Sequence, residues 1–414
     1  MLAEELAPPY ALRQSTLIYP EQPTHDDFLE TMTSVLMWSR VFGVAGSSNR
    51  LWKAWGGLIL ALLLSITMGA VYKLTKLLAG FAIYSAGNRS VTARIAGTMF
   101  YTSSLMSLVL SWRLSSKWNT LSTKWAAVEK RSAMIMPSDG KLKTSYLIFS
   151  GEYVMNVIST IAFDCPISQF LEIYLISSHG FIIQPTDYSV WIAIPLMFMS
   201  VTATILWNFQ DLLVILLSVG LISRYKRLTQ CVARVCENDQ NENTEVLKVY
   251  MWRKIRDAYV KQAMLVRDVD HIVGATILIS SFGNFYFICL QLFLGITQGV
   301  SGTFLRGMYY VASLSWITIR FTCMVLFAAE VNVHSKQALG YIHSCNAKNY
   351  NIEVERLQKQ LSKDYVALSG LGFFHLNRNM LLQVAGAVIT YELVLVQFDT
   401  KGVGGPVPLN FTNA

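Results

Sequence analysis

Residues 380–398 read MLLQVAGAVITYELVLVQF. As a helix, about 19 residues at ~1.5 Å each come close to the ~30 Å hydrocarbon thickness of a bilayer. The run is not uniformly apolar, because Gln383, Thr390 and Gln397 recur every seventh residue. Seven helical steps return to within about 20° of the starting azimuth, so the three side chains stack on one face. Asn379 and Gly386 fall near the same stripe. A polar face crossing lipid needs water or a partner. Two readings follow from the spacing: either the stripe lines a pore, or its amides and hydroxyl bond to neighbouring helices inside a sealed bundle.

The rest of the chain agrees with a membrane setting. Of 414 residues, 53% are hydrophobic and 14% charged, and the mean hydropathy is +0.40. A soluble domain carries about 25% charged residues. The deficit, with several long apolar runs, indicates an all-α polytopic membrane protein. The net charge of +8 does not point to nucleic acid, since most of the basic residues lie in loops between apolar runs. The acidic start of the chain lacks the basic-then-apolar pattern of a cleavable signal.

Seven spans are expected, at 54–76, 92–113, 145–165, 188–222, 269–298, 306–332 and 379–399. With the N-terminus in the cytosol, the three inner loops hold 23 Lys and Arg, against six in the outer segments and span ends. That bias puts the N-terminus inside and the C-terminus outside. The sequons at Asn88 and Asn410 then both face outward, as glycosylation requires. The expected organisation is a cytosolic segment 1–53, a ligand-binding bundle of six spans over 54–332, a cytosolic connection 333–378, a pore-lining span 379–399 and an outer tail 400–414. The orientation is the reverse of a G-protein-coupled receptor, and no inverted-half repeat suggests a carrier. Trp112 to Arg131 and Glu245 to Arg267 have apolar residues at helical spacing, so both should continue their spans as helices beyond the membrane.

Within the spans, Glu152, Asp164, Asp211, Arg320, Glu330 and Glu392 are ionisable. Each costs at least ~2.5 kcal/mol near the bilayer centre unless it meets water or a partner. Lys73, Lys76, Arg94, Arg113, Asp270 and His271 sit at span ends and are expected to reach the headgroups. Trp207, Asn208 and Asp211 share a helix face at spacings of three and four. An aromatic ring to cover the C–H face of a pyranose, with a carboxylate and an amide for adjacent hydroxyls, suits a sugar. The alternative is that Asp211 pairs with Arg320 while Trp207 packs in the core. Span five offers Ser281, Asn284, Tyr286 and Gln291, and span six offers Ser313, Trp316 and Arg320 at helical spacing. Glu330, near an inner end, is expected to snorkel. Glu392 lies about 200° from Thr390, away from the polar stripe, and is expected to hydrogen-bond into the bundle.

No nucleotide loop, Gly-x-Ser-x-Gly or His-Glu-x-x-His is present, so no enzyme is indicated. The six cysteines show no metal-ligand or disulfide spacing, so neither metal nor cofactor is expected. His179, His343 and His375 read as isolated, solvated side chains.

Thr390-Tyr391-Glu392, four apolar residues and Gln397-Phe398 resemble the terminal signature of the insect gustatory receptors. Glu392 resembles the sugar-receptor branch, as do Trp207-Asn208-Phe209-Gln210-Asp211-Leu212 and the run from Ser280 to Phe293. Val366 to Gly370, Gly372-Phe373-Phe374 and Asn377-Arg378 extend the match. The resemblance implies a homo- or heterotetramer in the plasma membrane of gustatory neurons, acting as a sugar-gated, nonselective cation channel. Its last helix would surround a pore, with the gate at the outer end, and the cytosolic helix extensions would form the oligomerisation core. Trp207, Asn208, Asp211, Asn284, Tyr286, Trp316 and Arg320 would bind the sugar. Gln383, Thr390, Gln397 and Phe398 would line and close the pore, and Tyr391 and Glu392 would couple it to the bundle. Membrane lipids are the other expected partner, and nucleic acid is not one. A gustatory channel for another ligand class, or a co-receptor subunit, is the rival reading.

Overall fold

The computed structural model describes residues 27–46, 49–79, 91–132, 179, 189–237, 245–298, 304–346 and 350–403. The helices are α1 (Asp27–Trp38), α2 (Arg50–Leu78), α3 (Val91–Ser132), α4 (Val190–Glu237), α5 (Glu245–Gln298), α6 (Phe304–Lys336), α7 (Ala338–His343), α8 (Ile352–Lys363) and α9 (Arg378–Val403). A 3-10 turn, Ser39–Phe42, follows α1. Extended pairing among the described residues is confined to one bridge, Ser369 with His375.

Among the described residues, four helices contain stretches long and apolar enough to cross a membrane: Arg50–Leu78, Trp191–Cys236, Lys248–Ile296 and Tyr310–His343. α3 and α9 occupy the positions of the second and seventh expected spans. The third expected span, with Glu152 and Asp164, lies outside the described residues, as do Asn88 and Asn410. α3 and α5 run unbroken for 42 and 54 residues. At ~1.5 Å per residue they exceed the membrane thickness about two- to threefold, so the amphipathic stretches are continuations of their spans.

α4 is the central helix. Its apolar window is 78% buried, against 28% for α2. α4 packs on α3, α5 and α6, while α2 leans on α3. Leu51, Leu58, Leu64 and Met68 of α2 are left exposed, a surface suited to lipid.

The sequence left 27–42 and 338–363 without helices of their own. α8 has the signals: the Asn351 side chain accepts from the backbone N–H groups of Glu353 and Val354 at 3.0 and 3.2 Å, an N-cap. Val354, Leu357 and Leu361 then recur on one buried face. Glu353 takes Arg256 Nε at 2.8 Å and Arg356 Nη1 at 2.7 Å. Burial pushes its carboxyl up, but the two guanidinium partners outweigh this and hold it below its usual range. A depressed carboxylate stabilises the fold above its ordinary titration range and loses that contribution only as pH falls through the depressed value.

α1 fills the far end of the bundle. Phe28 stacks on Trp125 with centroids 4.6 Å apart and meets Trp118 edge-on at 6.4 Å. Arg224 covers the Trp125 ring at 5.6 Å and donates from Nε to Gln262 Oε1 at 2.9 Å. Gly220 makes the close approach possible, because a Cβ there would lie 2.7 Å from the Phe28 ring.

A hairpin joins α8 to α9. Gly370 N–H donates to the Phe374 carbonyl at 2.9 Å, and Leu376 N–H to the Leu368 carbonyl at 2.9 Å. Leu371 and Gly372 both take positive φ, 53° and 79°, so the turn holds a leucine in the left-handed region that side chains avoid. Asp270 of α5 clamps this turn, accepting from Ser369 N and Oγ at 2.6 and 2.8 Å. The expectation that Asp270 reaches headgroups is therefore wrong, since its carboxylate is consumed by the turn.

Gly220→Val should destabilise the protein by about 1–3 kcal/mol through overpacking against Phe28. A lower melting temperature in detergent, restored by Phe28→Ala in the same chain, checks the contact.

Candidate functional site

Three helices converge on Asp211, whose residue is fully buried. Arg320 Nε of α6 lies 2.8 Å from Asp211 Oδ2, with the two side chains 3% and 0% exposed. From α5, Ser280 Oγ donates to Asp211 Oδ1, and Asn284 Nδ2 donates to Oδ2 at 3.1 Å. Arg320 Nη2 in turn donates to Asn284 Oδ1 at 2.8 Å, which closes the network. The pairing weighed from sequence, Asp211 with Arg320, is the one formed. Its members fall inside the expected spans 188–222, 269–298 and 306–332, where an uncompensated charge is costly.

Trp207 stands one turn before Asp211 and carries the network outward. The Arg320 guanidinium sits 4.5 Å from its ring centroid. Phe287 lies at 4.9 Å and Phe100 of α3 at 6.2 Å, edge-on. The Trp207 indole N–H is buried without a hydrogen-bond partner. Asn208 is on the same helix face, but its amide donates back to the Thr204 carbonyl at 2.6 Å and is not among the partners of Asp211. Tyr286 is half-buried with its ring 5.2 Å from Phe287. Trp316 is half-buried, and its indole N–H is unpartnered. Neither bonds to the Asp211 network. Above them Gln291 donates to Ser313 Oγ at 3.0 Å, and Tyr310 donates to the Gln291 carbonyl at 2.9 Å.

Sequence reasoning missed Ser280, Phe100, Phe287 and the pair Tyr101–His179. Tyr101 Oη and His179 Nε2 are 2.7 Å apart in buried surroundings. His179 is 3% exposed, so the expectation of a solvated outer-loop histidine is wrong. Ser280 stands four residues before Asn284 on α5 and could have been found by that spacing. His179 carried no local signal, because its partner is 78 residues away.

α9 meets α5 and α6 along one stripe. Val384 packs on the core, and Val388 and Glu392 are buried. Gln383, Thr390 and Gln397 are exposed on this chain, as is Tyr391. Thr390 Oγ1 donates to the Gly386 carbonyl at 2.8 Å. Glu392 is 8% exposed, yet neither carboxyl oxygen has a hydrogen-bond partner. The expectation that it hydrogen-bonds into the bundle is thus corrected: it is inserted there without a donor. At the other end of α9, Arg378 pairs with Glu330 of α6, and His334 lies 3.6 Å from Glu330. Glu330 is therefore held by a neighbour rather than drawn to a headgroup. The side chain of Phe398 lies outside the described residues.

Comparison with known proteins places the chain. A family model described as "Trehalose receptor" matches residues 24–404. "Gustatory receptor 5a for trehalose" of Drosophila melanogaster is 30% identical over 306 residues, covering 70% of this chain and 67% of that protein. "Gustatory receptor for sugar taste 64a" of the same fly is 33% identical over 226 residues, covering 55% and 48%. The insect olfactory receptor OR5 from Machilis hrabei superposes with a TM-score of 0.64 at 16% identity, covering 90% of this chain and 100% of that one. That likeness establishes the fold.

Removing one member of the Asp211–Arg320 pair leaves the other buried and uncompensated, a loss of about 3–5 kcal/mol. Asp211→Leu and Arg320→Leu should each lower thermal stability in detergent sharply. The double variant should be more stable than either single one.

Proposed function

The chain belongs to the trehalose receptor family, the sugar branch of the insect gustatory receptors, and we propose that it is a sugar-gated, nonselective cation channel. Its relatives are receptors rather than enzymes, and it is a multi-pass membrane protein of the taste-receptor class. On the proposed reading it crosses the plasma membrane of gustatory neurons seven times. The N-terminus lies in the cytosol, and the C-terminus and the sequons at Asn88 and Asn410 lie outside. Four copies, identical or mixed with other gustatory receptors, surround one pore.

The observation that carries this reading is the closed network of Asp211, Ser280, Asn284 and Arg320 under the Trp207 ring. It is polar, buried and shared by three helices. A sugar offers the same chemistry as its present members. Hydroxyls can donate to Asp211 and accept from Arg320 and Asn284, and a pyranose C–H face can replace the guanidinium on Trp207. The exchange conserves hydrogen bonds, so little desolvation is left uncompensated. Tyr286 and Trp316 would close over the ligand, and Asn208 would turn inward from Thr204.

Helices α5 and α6, which carry Asn284 and Arg320, both pack against α9. They grip it through Val384, Val388 and Glu392 in the membrane, and through Asp270–Ser369 and Glu330–Arg378 at its base. Drawing α5 and α6 toward a ligand would move α9. Gln383, Thr390 and Gln397, exposed on a single chain, would line the axis of the tetramer. Phe398 would close the outer end by dewetting, with Tyr391 and Glu392 passing the movement on.

The chain expressed alone and perfused with a sugar panel should give cation currents in excised patches without added nucleotide. Silence alone, with current restored by a second gustatory receptor, would make it a co-receptor subunit. Trp207→Ala should raise the half-effective sugar concentration at least about tenfold, equivalent to ~1.4 kcal/mol, with an unchanged reversal potential. Gln397→Ala should do the reverse, shifting relative ion permeability while sugar sensitivity holds. Crossed outcomes would exchange the two assignments.

A further inference from the structure

Glu392 sits on the face of α9 that packs against α5 and α6, eight residues after Val384 and four after Val388. It is 8% exposed, and both carboxyl oxygens lack a hydrogen-bond partner. Among the described residues, the titratable groups within its electrostatic reach are Cys289 of α5, Tyr310 of α6 and Tyr391 beside it on α9. Tyr286 of α5 interacts in the same way with Tyr391. All four are neutral at physiological pH, and none is a cation. The Tyr310 hydroxyl is already spent on the Gln291 carbonyl. A carboxylate without a donor or counter-ion in such a place is stable only in its neutral form.

We propose that Glu392 is a proton-binding site that ties sugar gating to external pH: the carboxyl holds a proton while α9 is packed on α5 and α6, and releases it to water when α9 moves away. This deepens the channel reading and rests on it. The linkage fixes the sign. The packed, resting state binds one proton more than the open state, so acid favours rest and the half-effective sugar concentration rises as pH falls. One proton limits the slope to at most about tenfold per pH unit. Tyr101–His179 is the other titratable pair at the outer side of the bundle, and it makes no contact with Glu392.

The experiment is a set of sugar dose–response curves from whole-cell currents between pH 7.5 and 5.0. Wild type should lose sensitivity with acid. Glu392→Gln, which keeps the shape of the protonated carboxyl, should give a pH-independent curve lying at the acid end of the wild-type range. Glu392→Asp should keep the pH dependence with a displaced midpoint, and His179→Gln should keep the slope. A flat wild-type response, a slope that survives in Glu392→Gln, or one abolished by His179→Gln instead, overturns the proposal. A sugar current absent at every pH removes the channel reading and this proposal with it. A current that is present but insensitive to pH removes the proposal alone.

Discussion

An arginine and an aspartate facing each other in an apolar bundle constrain much of the rest of this structure. Arg320 and Asp211 are 3% and 0% exposed, on different helices. Neither could be buried alone, because an ion moved from water into such surroundings costs several kcal/mol even after relaxation. α4 and α6 must therefore stay in register at that depth, and α5 must present Ser280 and Asn284 to the remaining lone pairs. α4, which carries Asp211, is also the helix whose apolar window is most buried among the four. The Trp207 ring beneath the guanidinium adds a cation–π contact, stronger where water is excluded. Such a network is specific in geometry but weak as a source of stability, so a ligand able to reproduce its hydrogen bonds can compete with it.

α9 is held by a different principle. Its base is fixed by ionic and hydrogen-bonded contacts, Arg378 with Glu330 and Ser369 with Asp270. Among its described side chains in the membrane, Val384, Val388 and the unpaired carboxyl of Glu392 rest on α5 and α6. On its polar face, Gln383, Thr390 and Gln397 are exposed. A helix gripped firmly at one end and lightly along its length is suited to tilting about its base. The strained Leu371–Gly372 turn lies beside that base, where rigidity is needed to justify its backbone geometry.

The long helices were legible from hydropathy, and their extensions from amphipathic spacing. The Trp207–Asp211 face was legible because helical spacing of three and four survives any tertiary arrangement. The rest was hidden for specific reasons. Asp270 and Glu330 stand where span ends normally meet headgroups, and only the returning chain near 369–378 gives them partners. His179 reads as a loop residue because its partner Tyr101 is remote in sequence. α1 and α8 are short, and they are stable because Phe28 and Leu357 find a core waiting for them.

The sequence by itself determined the class: apolar runs of membrane length, and a last span with a seven-residue polar stripe. These depend on local composition and helical period, which the backbone enforces whatever surrounds it. Only the tertiary structure decided who partners whom. It paired Asp211 with Arg320 rather than leaving it open, turned Asn208 back on its own helix, and buried Glu392 without a donor. Desolvation is the reason: the cost of each polar group is set by what the other helices bring within about 3 Å of it, and no stretch of one helix encodes that.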